Sequence, residues 1–221
     1  MRPELVIFDC DGVLVDTEPV SNAVMSAVLA HHGFRISADD CRLRFVGRTI
    51  EAVQGAVEAE IGRPLGADWP DRVRRETEAA FDRGVQPIAG IEAAVAAVKA
   101  AGIPYCVASS GKFSKMRKSL GTARLLAHFE DVLFSAEQVR RGKPAPDLFL
   151  FAAEQMGVAP ASCVVIEDSV PGVQAGRAAG MRVLAFAGDP MSVKAGLLET
   201  GVESFSHMND LPPLLGIAPA P

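Results

Sequence analysis

The chain has few of the residues from which disulfide-bonded folds and histidine- or cysteine-based metal centres are built. Its four histidines lack the spacing of metal ligands and suggest no Ser-His-Asp triad, and its four cysteines form no CxxC pair. Three of the cysteines lie in or beside apolar runs, so we expect reduced core residues rather than disulfides. These residues are His31, His32, His128 and His207, and Cys10, Cys41, Cys106 and Cys163.

The sequence also lacks long apolar runs and an excess of positive charge. No apolar stretch approaches the ~20 residues that span a bilayer, and no basic segment precedes a signal-like run at the N-terminus, so we expect a cytoplasmic protein. The net charge of −5 over 221 residues offers no broad attraction to nucleic acid or to an anionic membrane, and we expect neither as a partner. The acidic surface and the absence of a heptad pattern favour a monomer.

Five short apolar runs are present, and helical patterns lie between them. Runs of this length and continuity are typical of strands in a parallel sheet that is buried on both faces. Their alternation with helices predicts an α/β fold with a doubly wound, Rossmann-like parallel sheet. The runs are residues 4–8, 104–108, 131–134, 163–166 and 182–186.

One helical segment carries glycine at every fourth position, at Gly172, Gly176 and Gly180. Such spacing is known from membrane helices, but Gln174 and Arg177 interrupt the segment. We therefore expect a helix that packs closely on the sheet. The end of the chain is rich in proline, and we expect a poorly ordered tail there.

Residues 17–86 break the alternation, because several helical patterns follow one another without a convincing strand. Ile50, Val53 and Val57 give one of these helices an apolar face, and Thr49 is its possible N-cap. We interpret residues 17–86 as a helical cap domain inserted into a core of residues 1–16 and 87–221.

Two carboxylates, Asp9 and Asp11, follow the first apolar run. Because side chains alternate along a strand, both should face one side of the chain while Cys10 turns away. An ionised Asp is a recognised nucleophile for phosphorus, and a second carboxyl group can transfer the proton. The pair therefore points to phosphoryl transfer, although acidic residues also end strands as turn formers and helix caps.

Further polar residues follow the later apolar runs, where the ends of parallel strands would bring them to one site. Phosphoryl transfer needs cations and aimed donors, and Mg²⁺ prefers hard oxygen ligands. We predict Asp9 and Asp168 as its side-chain ligands, with Glu167 ranked second to Asp168. Lys143 would balance the charge of Asp9 and the phosphoryl group, and Ser109 would donate to it. Candidate substrate-binding residues on the same side are Ser110, Gly111 and Lys112, which do not form a P-loop.

The four motifs around Asp9, Ser109, Lys143 and Glu167–Asp168, in this order, resemble those of the haloacid dehalogenase superfamily, in its subclass with a helical cap. Phe8 through Glu18 nearly reproduces the first motif of the sugar-phosphate phosphatases in that superfamily. The resemblance implies that Asp11 also gives its backbone carbonyl to the metal. It further implies a mobile cap that selects the substrate, with hinges near residues 16–20 and 84–90. The loop of Gly47, Arg48 and Thr49 would dip toward the substrate. Arg48 would contact a carboxylate or a second phosphate, or lie on the surface as an ordinary arginine.

Three functions stay open from the sequence. The first is a phosphatase of a small phosphorylated metabolite, such as a sugar phosphate. The second is a mutase resembling β-phosphoglucomutase, although the histidine of that subgroup aligns with Ser21 here. The third is a catalytically silent binding module, which the retained Asp9 and Asp11 argue against. Since dehalogenases of the superfamily lack an acidic residue at the position of Asp11, phosphate ester chemistry is favoured.

Overall fold

The computed structural model describes residues 2–45, 48–194 and 196–218, which include a six-stranded sheet and a two-stranded ribbon. In the sheet the order is β5-β4-β1-β6-β7-β8 and every neighbouring pair is parallel. The strands are β1 (Leu5–Phe8), β2 (Val15–Asp16), β3 (Gln86–Pro87), β4 (Tyr105–Ser109), β5 (Leu133–Ser135), β6 (Cys163–Glu167), β7 (Arg182–Phe186) and β8 (Glu203–Phe205). The central strands β1 and β6 are buried along their whole length, as the continuous apolar runs require.

Helices cover both faces of this sheet, which confirms the predicted fold class. The first four lie between β2 and β3, and the others connect or follow the strands of the sheet. They are α1 (Glu18–His31), α2 (Ala38–Phe45), α3 (Ile50–Ile61), α4 (Trp69–Phe81), α5 (Ile91–Ala100), α6 (Phe113–Thr122), α7 (Leu126–Phe129), α8 (Asp147–Gln155), α9 (Val170–Ala178), α10 (Pro190–Lys194) and α11 (Leu211–Leu214). Among the described residues, no helix is long and apolar enough to cross a membrane.

Side chains of alternate strand residues pack into two apolar clusters, one on each face of the sheet. Val6 and Phe8 point to the face covered by α5 and α6, whereas Leu5 and Ile7 point to the face covered by α8 and α9. Helix α9 lies close to the sheet, because a Cβ added at Gly176 would meet Val183 Cγ2 at 2.6 Å. The prediction of close helix packing from the glycine spacing is thus confirmed at this position.

Helices α1 to α4 form a third apolar cluster of their own, in which Trp69 is the largest fully buried side chain. The helices are entered and left through the antiparallel pair β2 and β3, next to the expected hinges. Thr49 caps α3, since its hydroxyl accepts a hydrogen bond from the Ala52 amide at 3.2 Å. We propose, as before, that residues 17–86 form a cap domain and that residues 1–16 and 87–221 form the core domain.

The expectation of a disordered C-terminal tail is wrong for residues 211–215. Pro212 and Pro213 lie at the start of α11, where proline is tolerated because the first helical amides have no intrahelical partner. Leu211 and Leu215 are fully buried in the cluster on the α5 face of the sheet. The C-terminal segment therefore closes one end of the core as far as residue 215.

Candidate active site

The candidate site lies at the carboxyl ends of the sheet's central strands. Asp9 follows β1, Ser109 ends β4, and Glu167 and Asp168 lie at the end of β6. Since β4, β1 and β6 are adjacent and parallel, the end of each strand brings its polar residue to the same edge. The sequence motifs, which are spread over more than 150 residues, thus meet in one place.

Lys143 links two of the carboxylates at this edge. Its ammonium group donates to Asp9 Oδ1 at 2.6 Å, to Glu167 Oε1 at 2.5 Å and to the Ala108 carbonyl at 3.0 Å. The lysine side chain is only 4% exposed, and its ammonium lies 4.8 Å from the centre of the Phe149 ring. Burial alone would lower the pKa of Lys143, but Asp9 and Glu167 raise it above its usual value, so the ammonium stays charged.

Both oxygens of Glu167 accept hydrogen bonds from other groups of the protein, Oε1 from Lys143. Its second oxygen, Oε2, accepts hydrogen bonds from the amides of Asp168 and Ser169, both at 3.0 Å, and from the Ser169 hydroxyl at 2.9 Å. The carboxylate lies against Gly172 of α9, where an added Cβ would come within 1.9 Å of it. The prediction of Glu167 as a metal ligand, ranked second to Asp168, stays a prediction, and its oxygens make hydrogen bonds within the protein in this structure.

The carboxylate of Asp168 lies against Gly12, and the charge of Asp9 acts on it. Its Oδ2 would lie 2.1 Å from a Cβ added at Gly12, and Gly12 itself has a φ of +83°, so glycine is required there on both counts. Burial, followed by the charges of Glu167 and Asp9, raises the pKa of Asp168 well above its usual range. Burial likewise raises the pKa of Asp9 to about 7, against the opposing effect of Lys143.

The donor set suits magnesium, although it is not a closed cage. Within residues 2–45, 48–194 and 196–218, no group of three His, Cys, Asp or Glu side chains is arranged to hold a metal. Mg²⁺ usually takes only one or two carboxylates and completes its shell with water and substrate phosphate. The mutually repelling carboxylates of Asp9 and Asp168 fit this requirement, because a cation between them would offset the cost of keeping both ionised.

Asp11 has two partners that the sequence did not reveal. The Thr17 hydroxyl donates to Asp11 Oδ1 at 2.9 Å, and the Lys115 ammonium donates to Asp11 Oδ2 at 2.6 Å. Thr17 immediately precedes α1, and Lys115 lies on α6 in the core. No motif in the sequence distinguishes Lys115 from the other lysines around α6. The neighbouring Cys10 turns into the apolar cluster, as the alternation predicts.

The segment after β4 presents hydroxyl and amide groups to the same edge. Ser109 is 1% exposed, and its hydroxyl accepts a hydrogen bond from the Gly111 amide at 3.1 Å. Helix α6 begins at Phe113 with Lys112 in the cap position, so Ser110 lies ahead of the helix and does not cap it. Ser110, Gly111 and Lys112 instead line a cavity between the core and the cap helices.

This cavity has a volume of about 800 Å³, enough for a small metabolite. On the cap side it is lined by charged and by neutral polar residues, which include Arg48 and Ser21. Lys115 lines its core side. Thr49 caps α3 and is not among the lining residues. Gly47, the remaining predicted substrate contact, lies outside the described residues.

Comparisons with known proteins place this geometry in a family. A model described as haloacid dehalogenase-like hydrolase matches residues 3–180. The 6-phosphogluconate phosphatase of Escherichia coli (strain K12) is 35% identical over 214 residues, which cover 96% of this chain and 95% of that protein. Hexitol phosphatase A of the same organism is 34% identical, and the match covers 84% of this chain and 83% of that protein. The crystal structure of a conserved haloacid dehalogenase-like protein of unknown function from Agrobacterium tumefaciens str. C58 has a TM-score of 0.85 and 36% identity, covering 96% of this chain and 97% of that one.

Proposed function

The chain belongs to the haloacid dehalogenase-like hydrolases, and on that basis we propose that it is a magnesium-dependent phosphatase of a small sugar phosphate. The observation that carries the proposal is the position of Lys143, within 2.6 Å of Asp9 and 2.5 Å of Glu167 at the strand ends. A lysine held in this way keeps a positive charge beside the nucleophile and the incoming phosphoryl group. The names of the two Escherichia coli relatives, both phosphatases, support the reaction and the substrate class.

The proposed reaction has two halves. In the first, an Asp9 oxygen forms a bond to phosphorus while the ester bond to the leaving oxygen breaks, and Asp11 gives that oxygen a proton. In the second, a water oxygen attacks phosphorus and transfers a proton to Asp11, and the bond from phosphorus to Asp9 breaks. Inorganic phosphate leaves, and the Asp9 carboxylate is restored. Asp11 thus returns to the protonated form that the next substrate requires.

Other residues of the chain would bind and orient the phosphoryl group. Ser109 offers a hydroxyl, and the amides after it offer further donors, to an anion that approaches the end of β4. The side chains of Asp9 and Asp168 and the backbone carbonyl of Asp11 would hold Mg²⁺. When bound, the ion would offset the negative charge that the phosphoryl group brings to Asp9.

The cavity between core and cap would hold the rest of the substrate. Lys112 lies on its core side and Arg48 on its cap side, so an anionic or hydroxyl-rich metabolite would find charged donors at both ends. We propose that this cavity selects the substrate. It lies between the cap helices and the segment after β4, on the side of the core where the proposed nucleophile lies. Gly47, which precedes Arg48 in the sequence, stays a proposed substrate contact.

Phosphate release from a panel of sugar phosphates and phosphoglycolate, measured with Mg²⁺ and with a chelator, tests the proposal. We expect release that requires the metal and that is abolished in Asp9→Asn. Product analysis with β-glucose 1-phosphate distinguishes the mutase, which would isomerise the substrate without releasing phosphate. An inactive wild-type protein across the panel would instead favour a binding module, and appreciable turnover by Asp9→Asn would contradict the assignment of the nucleophile.

A further inference from the structure

One arginine of the cap helices forms an ion pair with the core. Arg42 of α2 donates from Nη2 to Asp189 Oδ2 at 2.7 Å, and Asp189 lies in the core between β7 and α10. The two side chains are 26% and 23% exposed, so water screens this pair less than the more exposed arginine pairs within the cap. The Met191 amide donates to the other Asp189 oxygen, Oδ1, at 3.1 Å and holds the carboxylate in place. The pair therefore fixes α2 against a defined point of the core.

A second carboxylate, that of Asp16, is acted on by the same arginine. Asp16 is the last residue of β2, the strand through which the chain enters the cap. Burial raises the pKa of Asp16, the charge of Arg42 opposes this effect, and the charge of Asp189 adds to it. The ion pair of Arg42 is with Asp189 and not with Asp16. One cation thus faces two carboxylates, one at the entrance to the cap and one in the core.

Arg42 also has a donor that it does not use. Its Nε–H group is buried and finds no hydrogen-bond acceptor in the part of the chain that the structure describes. A buried donor without an acceptor is unfavourable, and a guanidinium group has five donors with which it can exchange one carboxylate for another. The unused donor and the carboxylate of Asp16, which the charge of Arg42 already reaches, point to a second arrangement in which Arg42 donates to Asp16.

The position of α2 determines the shape of the cavity between core and cap. Phe45, the last residue of α2, lines this cavity, and the amide of Arg48, which also lines it, donates to the Phe45 carbonyl at 3.0 Å. Helices α1 to α4 pack around their own apolar cluster and are entered and left through the pair β2 and β3, so they can shift as a unit. A change of partner at Arg42 would therefore move the cap wall of the cavity relative to the core.

We propose that Arg42 is a positioning residue that holds the cap over the proposed active site through Asp189, and that it passes to Asp16 when the cap opens. This inference rests on the proposed function. In the closed arrangement the ion pair joins the cap to the core. In the open arrangement Arg42 donates to Asp16, and the pair joins the cap only to the strand through which the chain enters it. The two carboxylates therefore act in opposite directions, since Asp189 favours the closed form and Asp16 the open form.

Steady-state kinetics of two carboxylate-to-amide variants, Asp189→Asn and Asp16→Asn, test this opposition. The assay is phosphate release by the full-length chain, with Mg²⁺ and the sugar phosphate of the panel that the wild-type protein hydrolyses fastest. A ligand that binds only the closed form has an apparent affinity that falls with the population of that form. We expect Asp189→Asn to raise KM roughly threefold or more, whereas Asp16→Asn should leave KM unchanged or lower it.

Variants of the arginine itself test whether the two partners act through each other. Arg42→Met should raise KM as Asp189→Asn does. The double variant Arg42→Met/Asp189→Asn should be no worse than Arg42→Met alone, because both substitutions remove the same pair. Arg42→Lys should recover part of the loss, since an ammonium group keeps the charge but lacks the fork of donors.

Hydrogen–deuterium exchange of the unliganded protein provides a measurement that does not depend on activity. Peptides that cover residues 109–115, on the core side of the cavity, report how often the cap moves away from them. Exchange there should be faster in Asp189→Asn than in the wild-type protein, and it should not be faster in Asp16→Asn. The matched control is Glu60→Gln, because Glu60 pairs with Arg44 of the same helix α2 and both partners lie within the cap. This control should show the wild-type KM and the wild-type exchange.

Two results would overturn the proposal while leaving the proposed function intact. One is an Asp189→Asn variant that folds and shows the wild-type KM and exchange. The other is an Asp16→Asn variant that raises KM and accelerates exchange as Asp189→Asn does, which indicates that both carboxylates only support the fold. Failure of the proposed function looks different, because the wild-type protein would then release no phosphate from any member of the panel. The exchange measurement would still decide whether the two carboxylates act on the cap in opposite directions.

Discussion

Replacing the proposed nucleophile by its amide, Asp9→Asn, should make the metal-free protein more stable while it abolishes turnover. Asp9 is 7% exposed, the charge of Glu167 acts on it, and its own charge acts on Asp168. Burial is the main reason that the pKa of Asp9 rises from 3.8 to about 7, with Lys143 acting in the opposite direction. Asparagine has no charge to bury and can still accept a hydrogen bond from Lys143 through its amide oxygen.

The size of the effect follows from linkage. A carboxyl group whose pKa is raised in the folded state costs stability as the pH rises from about 4 to about 7, and the cost is constant above that. The increase to about 7 corresponds to roughly 4 kcal/mol at 1.36 kcal/mol per pKa unit. The two amide hydrogens of the asparagine lack assured acceptors, and this lowers the gain in stability by roughly 1–3 kcal/mol. We therefore expect a net gain of about 2 kcal/mol at pH 8, and a rise in Tm of roughly 4–8 °C for a chain of this length.

Thermal unfolding of both proteins in excess chelator, from pH 5 to pH 8, measures the effect. The difference in Tm between variant and wild type should be largest at pH 8 and nearly vanish at pH 5, where Asp9 of the folded wild-type protein is protonated. Taking the difference between the two proteins removes the pH dependence of those groups that do not interact with Asp9. A variant that is less stable than the wild type at pH 8, or a difference in Tm that does not vary with pH, would refute the reasoning.

Two further predictions concern tight packing at the site and at the C-terminus. Gly172→Ala places a Cβ within 1.9 Å of the Glu167 carboxylate, so we expect a loss of about 1–3 kcal/mol and a kcat at least roughly tenfold lower, measured by urea denaturation and phosphate release. Its control is Gly55→Ala in α3, where nothing lies within 4 Å in the described structure and stability should rise by about 0.5–1 kcal/mol. Leu211→Ala should cost about 2–5 kcal/mol in the same denaturation experiment because Leu211 is fully buried, whereas Leu198→Ala, at a position 49% exposed, should change stability by less than about 0.5 kcal/mol. Equal effects of the two leucine substitutions would contradict the place of α11 in the core.

The sequence predicted those strands of the sheet whose residues are buried on both sides. All five apolar runs correspond to strands, since continuous burial requires continuous apolar sequence. The edge strand β8 was missed because only Phe205 of its three residues is buried, which leaves no apolar run to detect. The order of the C-terminal segment was missed because its prolines, Pro212 and Pro213, indicate a break unless the start of a helix is recognised there.

The candidate site was predictable as far as its motifs reach. Asp9, Ser109 and Lys143 each follow a strand or lie in a short characteristic run, and the parallel sheet brings such positions together. Lys115 was missed because its importance depends on the direction of its side chain from α6, and Lys112 and Lys118 have the same sequence character. The role of Glu167 was equally hidden, since adjacent acidic residues at a strand end do not reveal which of them turns inward.

The balance of charge supports the proposal that the site binds a cation in addition to its lysines. Lys115 compensates Asp11, and Lys143 is shared between Asp9 and Glu167, so Asp168 and one further negative charge are left without a compensating charge among these groups. Protonation can remove this excess, which is what the raised pKa values of Asp9 and Asp168 express, but a protonated Asp9 is a poor nucleophile. A divalent ion removes the same excess and leaves Asp9 ionised. The destabilising charge that Asp9→Asn should relieve is thus the charge that the proposed metal binding and the proposed attack on phosphorus both require.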